Sequence, residues 1–409
     1  MDRVVTNVAS HTVCTLRILA ESSEVAASGA LPEWVDVICF TRPFSSHGTD
    51  PMSRPSLTLS PLEDRSVPAT FSLPRTYAVG EDTASTGAVP AVYGYTQTDR
   101  LASFSFDTGT GFTGGVRVAR ADFTGDGVPD LAIGSGPGTV SRVQVFQGRL
   151  NGSTVVLGAL VADFRPFETS FTGGIYIAGG DFNGGGRAEL VVTPDQGGGP
   201  RVIVYDGANP QLVFADFFGI DDRNFRGGAR AAIGDINNDL VNDLVVAAGF
   251  GGGPRIAVYD GRSVRPTLTP TKLFNDFFVF EQTLRNGVYV TAGDINGDGF
   301  DDVVAGGGPG GGPRVYGVSG RDLTISNGFT ITPVANFFAG DPNTRGGIRL
   351  SANNLDNDTF ADIVTGAGPG ATNTVITYAG RSIEPRTIRP EILSTFTIGD
   401  ADTDGIFVG

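Results

Sequence analysis

From Met52 to its last residue this chain has no cysteine, no histidine and no tryptophan. Over that length the absence excludes nucleophile–histidine catalysis, thiol chemistry and zinc-type ligand clusters. Lysine is almost missing too: Lys272 is the single one, and the other 28 cations are arginine. Against 44 acidic residues they leave a formal charge of −15. Nucleic acid and anionic membrane are therefore excluded as partners, because phosphate binding needs clustered cations. No run of 18 apolar residues occurs, so the sequence predicts no transmembrane segment.

Turn formers are abundant. Sixty glycines and 24 prolines among 409 residues, with 40% hydrophobic residues, predict many short strands around a real core. Residues 1–51 differ from the rest. They hold Cys14, Cys39, His11, His47 and Trp34. They read as a poorly ordered extension, or as a stretch upstream of a start at Met52. Their apolar stretches, 18–20 and 37–40, are too short for a secretory signal. A Cys14–Cys39 disulfide is one option for this segment. Residues 52–74 read as a leader or linker, and 75–409 as the folded domain.

Self-comparison decides the architecture. GGVRVARADFTGDGVPDLAIGSG, GGIYIAGGDFNGGGRAELVVTPD, GGARAAIGDINNDLVNDLVVAAG, NGVYVTAGDINGDGFDDVVAGGG and GGIRLSANNLDNDTFADIVTGAG align without gaps. Their loops open at Asp122, Asp181, Asp235, Asp294 and Asn354, spaced by 59, 54, 59 and 60 residues. Three of the units continue with PRVIVYDG, PRIAVYDG or PRVYGVSG, then with a strand ending in a phenylalanine pair. Four short strands per unit make one propeller blade, which must stack on neighbours to bury its faces. Residues 75–107 match strands two to four of a blade, and residues 405–408 match strand one. The fold class expected is thus all-β: a β-propeller of six four-stranded blades, the last closed by N- and C-terminal strands. In the same register Asp400, Asp402 and Asp404 fall before a first strand, and Val408 stands at the ninth position, so no metal is expected there.

The pattern D-x-[NDT]-x-D-G-x-x-D followed by DLVVGxGxGG resembles the FG-GAP/VCBS repeats, whose family includes the integrin α propeller. The resemblance spans about residues 75–409. It implies a propeller, calcium in the loop between strands one and two, and a role in adhesion or interaction. Residues 61–69, PLEDRSVPA, resemble the LEDRxVPA head of secreted or surface repeat proteins of planctomycete-type bacteria.

Calcium takes six to eight hard oxygens, which alternate residues of a tight loop can supply. The candidate ligands in the first loop are Asp122, Thr124, Asp126, the Val128 carbonyl and Asp130, with Gly127 at the turn. In the fourth they are Asp294, Asn296, Asp298, the Phe300 carbonyl and Asp302, with Gly299 at the turn. The third offers Asp235, Asn237, Asp239, Val241 and Asp243, but Leu240 replaces the turn glycine. The fifth offers Asn354, Asp356, Asp358, Phe360 and Asp362, with Thr359 at the turn. The second loop has Gly185 where the central carboxylate belongs and is expected to be empty or weak. The competing reading is that these residues only form Asx turns. The GGGPR segments at 197–201, 251–255 and 310–314 read as tight turns, Arg201, Arg255 and Arg314 as ion-pair partners, and the phenylalanine pairs as core.

The functional expectation is a monomeric, calcium-binding scaffold at the cell surface or outside the cell, non-enzymatic, with an unidentified protein or glycan ligand. Two alternatives stay open: a carbohydrate-active hydrolase or lyase using Asp/Glu and calcium, and a purely structural envelope component.

Overall fold

The computed structural model describes residues 76–82, 90–96, 100–105, 112–151, 154–266, 268–399 and 403–409, together with three short amino-terminal strands. The chain divides into two units, Met1–Thr70 and Phe71–Gly409. In the first, Arg3–Thr6, Val13–Leu16 and Cys39–Phe40 form one antiparallel sheet, with Cys14 opposite Cys39 in register. Their side chains, the remainder of 1–51 and the 61–69 head lie outside the described residues, as do Asp400 and Asp402.

The second unit is a six-bladed propeller of four-stranded antiparallel sheets. The first strands of the five continuous blades are Val116–Ala121, Ile175–Gly180, Ala229–Gly234, Val288–Gly293 and Ile348–Asn353. They pack against one another around the axis. The second strands are Asp130–Ser135, Glu189–Pro194, Asp243–Ala248, Asp302–Gly307 and Asp362–Ala367, buried almost throughout. That burial on both faces explains their near-continuous apolar sequence. Third and fourth strands complete each sheet toward the rim. In the first blade they form a long hairpin, Val143–Asn151 and Thr154–Phe164.

The sixth blade is split as expected. Ile406–Val408 pairs antiparallel with Thr76–Glu81, which continues to Ala91–Thr96 and Arg100–Ser105. Gly409 N–H donates to the Ala78 carbonyl at 3.0 Å, and Ala78 N–H returns a bond to Gly409 at 2.8 Å. Six apolar clusters hold the ring, each formed between two neighbouring blades. Ile406 and Val408 belong to the cluster shared with the fifth blade.

The phenylalanine pairs are only half core. Phe277 and Phe337 are buried, while Phe218, Phe278 and Phe338 are exposed. Successive strand residues point to opposite faces, so one of each pair turns inward and its neighbour outward. The recurrent arginines make the expected contacts with the fourth strand. Arg201 pairs with Asp216 at 2.6 Å and Arg255 Nε donates to Asp276 at 2.6 Å. Arg314 donates to Asn336 at 3.0 Å.

One residue per blade closes the axis. The second residue of each first strand is, in ring order, Arg117, Tyr176, Arg230, Tyr289, Arg349 and Phe407. Cations and aromatics alternate, and each guanidinium lies 4.1–5.3 Å from the two ring centroids beside it. The three aromatics also meet edge-on, with centroids 5.8–6.2 Å apart.

Deleting residues 406–409 strips a strand from the split blade and three buried side chains from the core. Unfolding free energy is expected to fall by about 5 kcal/mol, from the usual 1.5–3 kcal/mol per buried large apolar side chain. Denaturant titration of full-length and truncated protein checks this. Equal midpoints would show that the ring does not depend on its carboxy-terminal strand.

Candidate functional site

The acidic loops join first to second strands, so all five stand on one face of the ring. In the first four, the opening carboxylate folds back over the turn. Asp122 accepts from Gly125 N–H at 2.6 Å and from Gly127 N–H at 2.7 Å. Asp294 accepts from Gly297 and Gly299 at 2.7 and 2.8 Å. The fourth and sixth loop positions are left-handed: φ is 73° and 80° at Gly125 and Gly127, 74° and 87° at Gly297 and Gly299. Glycine takes that conformation without steric cost. In the third loop Asn238 and Leu240 adopt it at 56° and 68°, and the Leu240 side chain is 90% exposed, so no packing offsets the strain. In the fifth loop Asn357 is left-handed and Thr359 is not; there Asn354 accepts from Asn357 N–H at 2.9 Å and its amide donates to the Asp358 carbonyl.

The ninth-position acids open the second strands. Asp130, Glu189, Asp243, Asp302 and Asp362 are all fully buried, at 0% exposure. Four of them reach a glycine of their own blade, within the third strand in the first blade and just past it in the other three. Gly148, Gly261, Gly320 and Gly380 donate their N–H at 2.7, 3.0, 3.1 and 2.9 Å. The same carboxylates accept from their own loops: Thr124 N–H at 2.7 Å, Ile236 at 3.1 Å, Ile295 at 3.2 Å and Leu355 at 2.7 Å. Glu189, one methylene longer, accepts from Phe182 N–H at 2.8 Å and from Asn183. Burial raises the pKa of Asp302 to about 8 and that of Asp243 to about 7, ahead of the opposing backbone donors; neighbouring loop carboxylates add to the rise. Burial likewise brings Glu189 to about 7 and lifts Asp130 and Asp362.

The central carboxylates divide the loops into two kinds. Each caps the N–H at position seven: Asp126 to Val128 at 2.9 Å, Asp239 to Val241 at 3.0 Å, Asp298 to Phe300 at 3.1 Å, Asp358 to Phe360 at 2.8 Å. In the third loop Arg262 pairs with Asp239 at 3.0 Å. In the fifth Arg381 pairs with Asp356, and with Asp358 at 3.4 Å. Both arginines directly follow the glycine after the third strand. Asp126 instead accepts from neutral Gln147 at 2.9 Å, and Asp298 has no cationic partner among the described residues.

The donor chemistry fits a hard cation: carboxylates and amide oxygens gathered on one turn. In the third loop Asn237 Oδ1 is buried without a donor. Among the described residues, however, no three acids converge as a preformed metal cluster. The loops also join neighbouring blades. Ala188 N–H donates to the Asp122 carbonyl at 2.8 Å, Asp301 to Asp235 at 3.0 Å and Ala361 to Asp294 at 2.7 Å, while the Asn242 amide donates to the Asp181 carbonyl at 2.9 Å.

Integrin alpha-V of Gallus gallus is similar to this chain. The two are 24% identical over 210 residues, 47% of this chain and 20% of the integrin. The chain thus spans about a fifth of that relative's length. No family model matches. Among solved structures, rhamnogalacturonan lyase YesW is 11% identical at a TM-score of 0.37, over 73% of this chain and 58% of that one. The rhamnogalacturonan lyase PL11 of Bacillus licheniformis is 13% identical at 0.38, over 73% and 58%. The Dos1 propeller is 12% identical at 0.39, over 75% and 64%. At these values the structural likeness carries no functional argument.

Two outcomes follow from the loop geometry. Leu240→Gly relieves a left-handed side chain and is expected to raise stability by about 1 kcal/mol, read as a higher denaturation midpoint. A lower midpoint would mean that Leu240 holds the loop in another way. The second concerns pH in the presence of chelator. Folded Asp302, Asp243 and Glu189 keep their protons up to about pH 8, 7 and 7, whereas the unfolded chain releases them near pH 4. The folded state therefore binds more protons between those limits, and stability is expected to fall by a few kcal/mol as pH rises from about 5 to about 8. A flat or rising profile in urea melts would contradict it.

Proposed function

We propose that this propeller is a calcium-stabilised, non-enzymatic interaction scaffold that works outside the cytoplasm, with the first and fourth loops as its principal calcium sites. The observation that carries this reading is the repeated placement of a buried ninth carboxylate beside two more acids on one turn. Burial and the neighbouring acids favour the neutral form of the ninth carboxyl, and a bound cation would favour its ionised form. In the third and fifth loops an arginine pairs with the acids; the first and fourth have both turn glycines and no arginine ion pair among the described residues, Arg120 reaching only the Pro129 carbonyl of the first loop at 3.2 Å. Asp122, Thr124, Asp126, Val128 and Asp130 would hold calcium in one, Asp294, Asn296, Asp298, Phe300 and Asp302 in the other. The similarity to an integrin over part of the chain supports an extracellular setting and a binding role. Among the described residues no helix is long and apolar enough to cross a membrane.

The non-enzymatic part rests on where the acids are. Those of the loops are fastened to backbone N–H groups, and those nearest the axis, Asp82 and Asp195, are paired with arginine. A glycosidase-type reaction needs two carboxyl groups free to meet a sugar.

Titration calorimetry on chelated protein tests the calcium reading. Binding is expected at about 0.1–1 mM, the range of extracellular modules. Saturation should stabilise the fold by about 2.7 kcal/mol per site at one hundred times Kd. Asp298→Ala should delete one site, and Gly185→Asp should add one in the second loop. Arg262→Gln should strengthen binding in the third. No heat at millimolar calcium, with Asp298→Ala melting like the unmodified protein, would leave the acids as backbone fasteners alone.

A further inference from the structure

The axial ring has an unbalanced charge. Arg117, Arg230 and Arg349 are 4%, 3% and 3% exposed, so three guanidinium groups are withdrawn from water at the centre of the molecule. Two carboxylates answer them. Asp195 pairs with Arg117 at 3.2 Å; Asp82 pairs with Arg349 and lies 3.6 Å from Arg117. Arg230 makes no ion pair among the described residues. Its Nη1 donates to the Val288 carbonyl at 3.1 Å and its plane lies between Tyr176 and Tyr289; its Nε is buried with no acceptor, as are those of Arg117 and Arg349. An isolated buried charge is costly, and the cost falls when a counter-charge with matching hydrogen bonds is supplied.

The blade repeat shows where that counter-charge would sit. Asp82 and Asp195 occupy one position, just after the second strand, in blades whose axial residue is aromatic. The blades with an axial arginine carry glycine there: Gly136, Gly249 and Gly368. By this alternation the third aromatic blade, that of Tyr289, should also carry aspartate. It has Gly308. Gly308 follows Asp302–Gly307 between the blades of Arg230 and Arg349. Arg230, Tyr289, Arg349 and the adjacent Pro309 line one funnel of about 340 Å³ at this end of the axis, and Arg117 with Asp82 and Asp195 lines its other side. It opens on the face opposite the acidic loops, since the axial residues lie near the start of first strands and the loops follow their ends.

We propose that this axial funnel is a binding site for one carboxylate group of a small or chain-end ligand, seated against Arg230 where Gly308 replaces aspartate. Three fixed cations and two fixed anions leave one positive charge, which a monoanion neutralises. A carboxylate suits the guanidinium, as Asp82 and Asp195 show at the sister positions, where each accepts from the Nη2 of its arginine.

The test is a thermal-melt and calorimetric titration of the full chain in chelator, at constant ionic strength. Low-millimolar sodium acetate or sodium glucuronate replaces chloride, and glucose is the uncharged control. Chelator keeps the result independent of the calcium loops. Acetate or glucuronate should raise the melting temperature above that in chloride, and glucose should not. A response to acetate assigns a free acid; a response to glucuronate alone assigns an acid carried on a sugar. Arg230→Met should abolish the response. Should that variant fail to fold, Arg230→Lys keeps the charge, loses the planar fork and should weaken the response at least tenfold. Identical melting in chloride, acetate and glucuronate, or a response that survives the Arg230 substitution unchanged, would overturn the proposal.

Discussion

The second strand of every blade is buried on both faces, and a single twisted four-stranded sheet cannot provide that burial. Each blade must therefore find a neighbour on either side, and a ring is the arrangement in which every blade has two. The core accordingly lies between blades, in six apolar clusters around an axis. The split blade follows from the same need. If the terminal strand belonged to an ordinary sixth unit, the ring would be joined only by side-chain packing. With Ile406–Val408 hydrogen-bonded to Thr76–Glu81, closing the ring and completing a sheet become one event. The exchange of backbone bonds between Gly409 and Ala78 extends that seam by one residue.

The acidic loops serve this ring before they serve any cation. A buried ninth carboxylate ties its loop to the end of the third strand across 18 residues, and a backbone bond from position eight ties one loop to the next blade. A carboxylate offers about four lone-pair sites, so accepting two N–H groups leaves capacity for a further ligand. Fastening and cation binding can then coexist in one side chain. The arginines of the third and fifth loops resolve the same accumulation of negative charge from within the chain. They are found in loops that lack the turn glycine, where a metal would also have to hold a strained turn.

Much of this was legible in the sequence. The gap-free repeat gave blade number, strand order and closure, because side-chain alternation and turn glycines recur at fixed offsets. Leu240 was visible as a residue in a glycine's place, and it does adopt φ 68°. Arg262 and Arg381 were not read as loop partners, because their reach depends on the third strand returning beside the loop some two dozen residues later. The phenylalanine pairs were assigned to the core as pairs, although alternation along a strand allows only one of the two to face inward. The axial residues were in plain view as VRVA, IYIA, ARAA, VYVT, IRLS and IFVG. Their alternation has no meaning along the chain. It becomes an interaction only when the first strands meet around an axis.

That axial arrangement also accounts for how a chain of net charge −15 can bury three cations at its centre. Six inward-facing side chains converge there. Six aromatics would overfill the axis, and six arginines would repel. Alternation gives every guanidinium two aromatic faces and gives the aromatics one another's edges, so the plug is packed and partly neutralised without water. The remaining charge has to be met at the rim of the plug, from the loops after the second strands, because nothing inside the first strands can reach it. This makes the two ends of the propeller chemically opposite. One is ringed by the acidic loops. The other presents arginines in a funnel whose aspartates number one fewer than the cations they face. The same repeat thus generates both polarities from a single blade, by changing one residue at the start of the first strand and one at the end of the second.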